Sequence, residues 1–247
     1  YFILGAGSNT LFRDLGFNGV VIKLSRSFDY IKFINNNEFK VGAATNCIKM
    51  ARFLAKNYAT GLEFFSGIPG SIGGAIKMNA GAYGFETSDY LVKIKILNRK
   101  NGEIKDILSK DYLMNYRQTN FPNEYIFLEA TFKYLKSKNI TDSLNKIKKL
   151  NAERKLTQPI QEKTSGSTFK NPKNFKAWKL IQDSGCQNYK LGKAQLSKVH
   201  SNFIINKGNA TSNDIEKLGE QIIQKVYQKF GVKLAWEIKI VGREGIC

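Results

Sequence analysis

Two glycine-rich stretches hold most of the chemistry this chain can offer. Between Ser66 and Gly84 it reads SGIPGSIGGAIKMNAGAYG, with glycines at 67, 70, 73, 74, 81 and 84. Each glycine weakens a helix or strand by roughly 0.5–1 kcal/mol relative to alanine. In return it supplies positive φ and a bare backbone whose N–H groups can touch a ligand, and consecutive amides of that kind form phosphate nests. The stretch reads as a loop pressed against something anionic and extended, such as a dinucleotide. A tight structural turn is the alternative. Gly5, Ala6, Gly7, Ser8 and Asn9 follow a strand signal and begin like the fingerprint GxGxxG. Thr10 stands where the third glycine belongs and no helix pattern follows, so the Rossmann reading fails. A second phosphate loop, working with the first, fits better.

The remaining polar groups are more ambiguous. The segment 163–172, KTSGSTFKNP, packs hydroxyls, an amide and lysines into one loop. It either presents Ser167 and Asn171 to a substrate or is an exposed run of Ser/Thr turns. Arg117 is one of only seven arginines and stands in NYRQ, where a surface role is the plain reading. Glu237 lies among Leu234, Trp236, Ile238 and Ile240, and period-two alternation puts it with Lys233 and Lys239 on the opposite, solvent face. His200, the single histidine, has no second ligand nearby, which favours a structural role. Cys47, Cys186 and Cys247 are far apart with no CxxC, so no common zinc framework exists and no metal is expected. Sparse, odd cysteines suit reduced thiols in a cytoplasm.

The elements that must carry these groups follow from pattern. Strand signals stand at Tyr1–Leu4, Val20–Ile22, Phe39–Val41, Val92–Leu97, Glu103–Ile107 and Ile126–Phe132, with Asn101 and Gly102 as a hairpin turn. Thr45 caps a helix with the face Cys47, Ala51, Leu54 and Tyr58, ended by Gly61. Composition turns to lysine, serine and asparagine over 136–151, with Leu144, Ile147 and Leu150 at helical spacing, and the domain boundary is placed there. Beyond it a short helix carries Trp178 and Ile181 and stops at Gly185. A strand at Asn202–Ile205 precedes a long helix with a capping box of Asn213 and Glu216, a stripe of Ile215, Leu218, Ile222 and Val226, and a stop at Gly231. A strand over Val232–Val241 closes the chain.

At 247 residues the chain holds one large or two ordinary domains, and it contains no apolar run of membrane-spanning length. The opening at Tyr1, already in a strand, leads us to expect a natural N-terminal piece outside this sequence. A formal charge of +19 invites a nucleic-acid reading. The excess is dispersed lysine, whereas specific readers lean on arginine forks, so attraction of polyanionic small substrates is the milder inference.

Taken together, these segments resemble the UDP-N-acetylenolpyruvoylglucosamine reductase family, also called UDP-N-acetylmuramate dehydrogenase or MurB. The matching blocks run in order: LGAGSNTLFRD at 4–14, GLEFFSGIPGSIGGAIKMNAGAYG at 61–84, NYRQTNF at 115–121, FLEATFKY at 127–134, GSTFKNP at 166–172, HSNFIIN at 200–206 and WEIKIVG at 236–242. The resemblance implies an α+β protein with an FAD-binding domain of the vanillyl-alcohol-oxidase/PCMH type over 1–138, N-terminally incomplete here. A smaller α+β substrate-binding domain follows over 139–247. It further implies non-covalent FAD, NADPH as reductant, and reduction of UDP-N-acetylenolpyruvylglucosamine to UDP-N-acetylmuramate in the cytoplasm, for peptidoglycan, cell shape and cell division. No nucleic acid, membrane or obligate protein partner is implied.

Residue by residue, the resemblance makes Arg117 the group that holds the substrate carboxylate, Glu237 a carboxyl on its other side, and Ser167 the proton donor to the α-carbon. FAD would lie on Gly5, Ala6, Gly7, Ser8, Asn9, Gly67, Ile68, Pro69, Gly70, Ser71, Gly73, Gly74, Asn79, Gly81 and Tyr83. The UDP-sugar would meet Tyr83, Tyr116, Lys170, Asn171 and Asn202. The family's segment upstream of its GSN loop is not in this sequence. The short connection from Arg117 to Phe132 matches the compact subtype that lacks a tyrosine-bearing loop. The rival readings are another flavoenzyme of this fold with a different substrate and, more remotely, a basic nucleic-acid-binding module.

Overall fold

The computed structural model describes residues 1–244, so Cys247 lies outside the described residues. The chain is α+β and divides into two compact units. The first holds Tyr1–Ala6 with Val21–Glu153, the second Gly7–Val20 and the chain from Arg154 onward.

An antiparallel sheet of five strands organises the first unit, in the order Ile104–Leu108, Leu91–Asn98, Tyr125–Lys133, Glu38–Gly42, Ile31–Phe33. Of its two long strands, Leu91–Asn98 alternates isoleucine with lysine and Tyr125–Lys133 is rich in β-branched and aromatic residues, which suits a half-buried pleated surface. Phe39, Val41, Ile94, Ile96 and Phe132 are fully buried and join a core completed by Met50, Leu54, Phe65, Ile72 and Ile76. The Asn101 and Gly102 turn is as expected, with Gly102 at φ +73.

Helix α1 spans Cys47–Lys56 and buries the expected Cys47, Ala51 and Leu54. Its cap is Asn46 rather than Thr45, because the Thr45 hydroxyl already donates to the carbonyl of Tyr30. It also stops before Gly61, at Lys56, where Asn57 caps it and Tyr58 turns to φ +58. Helix α2, Ile72–Met78, corrects the reading of 66–84 as a loop throughout. Ser71 caps it, and Gly73 packs closely on the chain: a Cβ there would stand 3.3 Å from both the carbonyl oxygen and the Cβ of Ala43.

Helix α3, Ile140–Thr157, explains why the grouping differs from a division at 138. The buried carboxylate of Glu63 accepts from Ser143 (2.8 Å) and Thr60 (2.6 Å) and pairs with Lys146 (3.3 Å), while Tyr83 donates to the carbonyl of Leu150 (2.8 Å). These bonds tie the first turns of α3 to the first unit.

The second unit packs helix α4, Ala177–Asp183, and helix α5, Ser212–Phe230, around Ile181, Ala194, Leu196, Leu218, Ile222 and Val226. The expected stops hold, with Gly185 at φ +82 and Gly231 at φ +66. The α5 cap shifts: Thr211 and Asp214 form the box, and Glu216 instead receives the guanidinium fork of Arg13 at 2.8–3.1 Å. Strand Ile204–Asn206 leaves Asn202 outside it. The closing strand is only Lys239–Val241, parallel to Thr10–Phe12. Residues before it pair instead with the 168–170 segment, so the expected Val232–Val241 strand is broken in two.

Candidate functional site

In the first unit the sequence brings Arg117 to a tight hairpin between Met114–Asn115 and Gln118–Thr119, and the turn forces its backbone to φ +53. Its guanidinium donates to the carbonyls of Gly81 (2.8 Å) and Asn79 (3.4 Å), faces Glu86 at 3.9 Å and lies over the ring of Tyr116. Asn79, which the resemblance places at the flavin, has its side chain turned inward. It is fully buried in the left-handed region (φ +42). Its amide donates to Glu86, Met114 O and Asn115 O, and its oxygen accepts from Ser88 N–H.

Gly5 meets the longer glycine-rich stretch within this unit. A Cβ on Gly5 would fall 2.5 Å from the Ser71 hydroxyl, and one on Gly67 would strike the Tyr83 ring at 2.7 Å. Ile68, Pro69 and Gly70 make the turn into α2, and the Gly70 carbonyl accepts the first amide of α1. The first amides of α2 are engaged by protein: Ile72 N–H donates to Thr45 O, Gly73 N–H to Ala43 O and Gly74 N–H to Ser71 Oγ.

In the second unit Ser167 and Glu237 are laced together through the backbone. Glu237 N–H donates to the carbonyl of Thr168 (2.8 Å), next to Ser167, and Lys170 N–H donates to Ala235 O (2.8 Å). Glu237 is half-buried, not solvent-facing as alternation suggested, because its segment packs on this loop and Trp236 lies against Phe169 at 5.0 Å. Gly166 at φ +83 turns the chain into Ser167, whose hydroxyl has no hydrogen-bond partner among the described residues.

Asn202, expected at the sugar nucleotide, has its carboxamide engaged elsewhere. It accepts from Phe169 N–H (3.0 Å) and donates to Phe169 O (2.8 Å), so it splints the loop that carries Ser167. Asn171 accepts from Ala177 N–H at the start of α4. Asn9 donates to the carbonyl of Glu237 (3.0 Å). His200 packs on Phe203 and accepts from Asn202 N–H through Nδ1, and burial lowers its pKa, keeping it neutral.

Comparison with known proteins decides what this arrangement belongs to. The profile described as UDP-N-acetylenolpyruvoylglucosamine reductase, C-terminal domain, matches residues 158–241, and an FAD binding domain profile matches 1–108. The UDP-N-acetylenolpyruvoylglucosamine reductase of Orientia tsutsugamushi (strain Ikeda) is 46% identical over 99% of this chain and 81% of its own length. That of Rickettsia bellii (strain RML369-C) is 44% identical over 97% and 78%. The chain belongs to the UDP-N-acetylenolpyruvoylglucosamine reductase family. The crystal structure of the Thermus caldophilus reductase (MurB) superposes with a TM-score of 0.87, at 29% identity, over 98% of this chain and 85% of that one.

Reductases of this family are FAD-dependent, and the residues present fit that cofactor. Among the described residues no backbone N–H from Gly5 to Asn9 finds a protein acceptor, Ala6 and Gly7 are exposed, and Gly7 turns at φ +77. That is an open row of amides of the kind that cradles phosphate. The Ser66 hydroxyl, buried in the first unit, is also without a partner. Asn79, Glu86 and Asn202 as scaffold, and Ser66 as an orphan, escaped the sequence reading. Their partners are distant in the chain, and no local pattern marks them.

Proposed function

We propose that this chain carries out its family's reaction, the NADPH-dependent reduction of UDP-N-acetylenolpyruvylglucosamine to UDP-N-acetylmuramate, in peptidoglycan precursor synthesis. The observation that carries the reading to particular residues is the Ser167 hydroxyl, engaged by no protein group among the described residues and on a loop laced to the half-buried Glu237. The first unit, with Gly5, Ala6 and the stretch 66–84, is the flavin-holding part, and the second is the substrate part. When bound, FAD supplies the hydride that adds to the enolpyruvyl β-carbon.

Negative charge then grows on the α-carbon and its carboxylate. Arg117, its guanidinium fixed by two carbonyls, holds that carboxylate with charge-assisted hydrogen bonds. Glu237 is held protonated or shares a proton there, because two bare carboxylates in contact repel. Ser167 gives a proton to the α-carbon, a transfer that a carbanion-like base makes feasible for a hydroxyl. Tyr83, Tyr116, Lys170 and Asn171 meet the sugar nucleotide. Among the described residues no helix is long and apolar enough to cross a membrane. The cytoplasm, where sugar nucleotides and NADPH are found, is the proposed location.

A turnover assay tests the reading: NADPH oxidation should depend on the enolpyruvyl sugar nucleotide. Oxidation that proceeds at the same rate without it would overturn the assignment.

A further inference from the structure

The fully buried amide of Asn79, which closes α2 in the left-handed conformation that asparagine readily adopts, makes four side-chain contacts, its two N–H hydrogens shared among three acceptors. Three features converge on the same neighbour. The amide grips Met114 O and Asn115 O, the carbonyls of the strand that leads into Arg117. The Asn79 carbonyl itself accepts from the Arg117 guanidinium at 3.4 Å. The amide also fixes one oxygen of Glu86 (2.8 Å) while the other faces Arg117 at 3.9 Å. Asn79 thus contacts the backbone, the guanidinium and the counter-charge of Arg117, with Gly81 O completing the hold on the guanidinium.

We infer that Asn79 and Glu86 are positioning residues for Arg117, fixing where its guanidinium meets the substrate carboxylate, and that Asn79 does not act through the flavin. The inference rests on the reading of Arg117 given above. Chemically it requires that Asn79 matter to the substrate half of the reaction alone. A guanidinium displaced by about 1 Å costs on the order of 10²-fold in a positioned reaction. Flavin reduction by NADPH involves no carboxylate for Arg117 to hold and is indifferent to that displacement.

The test uses the holoenzyme with Asn79→Ala, Glu86→Gln and Arg117→Ala, singly and with each of the first two combined with the third. Stopped-flow absorbance follows flavin bleaching by NADPH and, separately, re-oxidation by the enolpyruvyl sugar nucleotide, and flavin fluorescence gives FAD affinity. Asn79→Ala and Glu86→Gln should leave FAD affinity and bleaching within about twofold of wild type. Both should slow re-oxidation, roughly tenfold to a hundredfold for Asn79→Ala, and neither should add a loss in the Arg117→Ala background.

Lost FAD affinity with unchanged re-oxidation, or losses that add in full to that of Arg117→Ala, would overturn the inference. Should Asn79→Ala not fold, Glu86→Gln decides alone. It keeps an oxygen for the Asn79 amide and removes only the charge facing Arg117, so unchanged re-oxidation would overturn the inference. Wild-type re-oxidation in Arg117→Ala would instead remove the role assigned to Arg117 itself.

Discussion

Ser167 stands on a loop held from three directions. Thr168 N–H donates to Asn202 O, Thr168 Oγ1 accepts from Ile204 N–H, and Thr168 O accepts from Glu237 N–H. A hydroxyl held by its neighbours and engaged by no protein group of the described residues is suited to one proton transfer. Ser167→Ala should therefore spare flavin bleaching by NADPH and slow re-oxidation by substrate roughly 10²- to 10⁴-fold. Equal losses in both half-reactions, read by rapid mixing, would remove the assigned role. The residue types alone did not reveal this. Serines and threonines in KTSGSTFKNP are equally good turn formers, and only the ordered blocks singled out Ser167. For Asn79 and Asn202, which the resemblance places at the ligands, the residue types do not show that their amides engage partners far along the chain.

At the scale of elements, two contacts determine how the site is supported. Gly219 in α5 lies beneath the Trp236 indole, and a Cβ there would overlap the ring. Gly219→Ala should lower stability by about 1–3 kcal/mol through overpacking. Because Trp236 packs on Phe169, it should also slow substrate re-oxidation more than flavin bleaching; paired thermal melts and rapid mixing test both. Glu63 fastens α3 to the first unit. Burial pushes its carboxyl up, but hydrogen bonds from Thr60 and Ser143 and the charge of Lys146 outweigh this and hold it below the ordinary 4.5.

A lowered folded pKa means that the stabilisation is complete above the ordinary value and is lost as pH falls through the lowered one. Glu63→Gln should cost about 1–3 kcal/mol at neutral pH. Urea melts should show the gap between the two proteins shrinking as pH drops below 4.5. A gap that persists in acid would contradict an ionised Glu63. Element identity was largely legible from periodicity, but caps were not. Asn213 with Glu216 satisfies the same pattern as Thr211 with Asp214, and the choice is made by Arg13 drawing Glu216 away. The last strand misled because alternation continues past the point where hydrogen-bonding partners change.

For the molecule as a whole, the proposed function gives the formal charge of +19 two polyanions to attract, NADPH and the sugar nucleotide. The second-order rate of flavin bleaching at low NADPH should fall about tenfold from low to high salt, as screening shortens the reach of the positive field. A flat salt profile would leave the charge without that role. Composition places a boundary near 138, whereas 7–20 groups with the second unit and the first turns of α3 with the first. Those assignments depend on Arg13, Asp14 and Glu63 finding partners that no local window contains. In the proposed function a flavin held by this chain passes reducing equivalents from NADPH to the enolpyruvyl sugar nucleotide. The visible spectrum of the purified protein tests it most directly. We predict a yellow flavin band that NADPH bleaches without air and that the enolpyruvyl sugar nucleotide then restores. A bleached band that stays bleached when the sugar nucleotide is added would contradict the account.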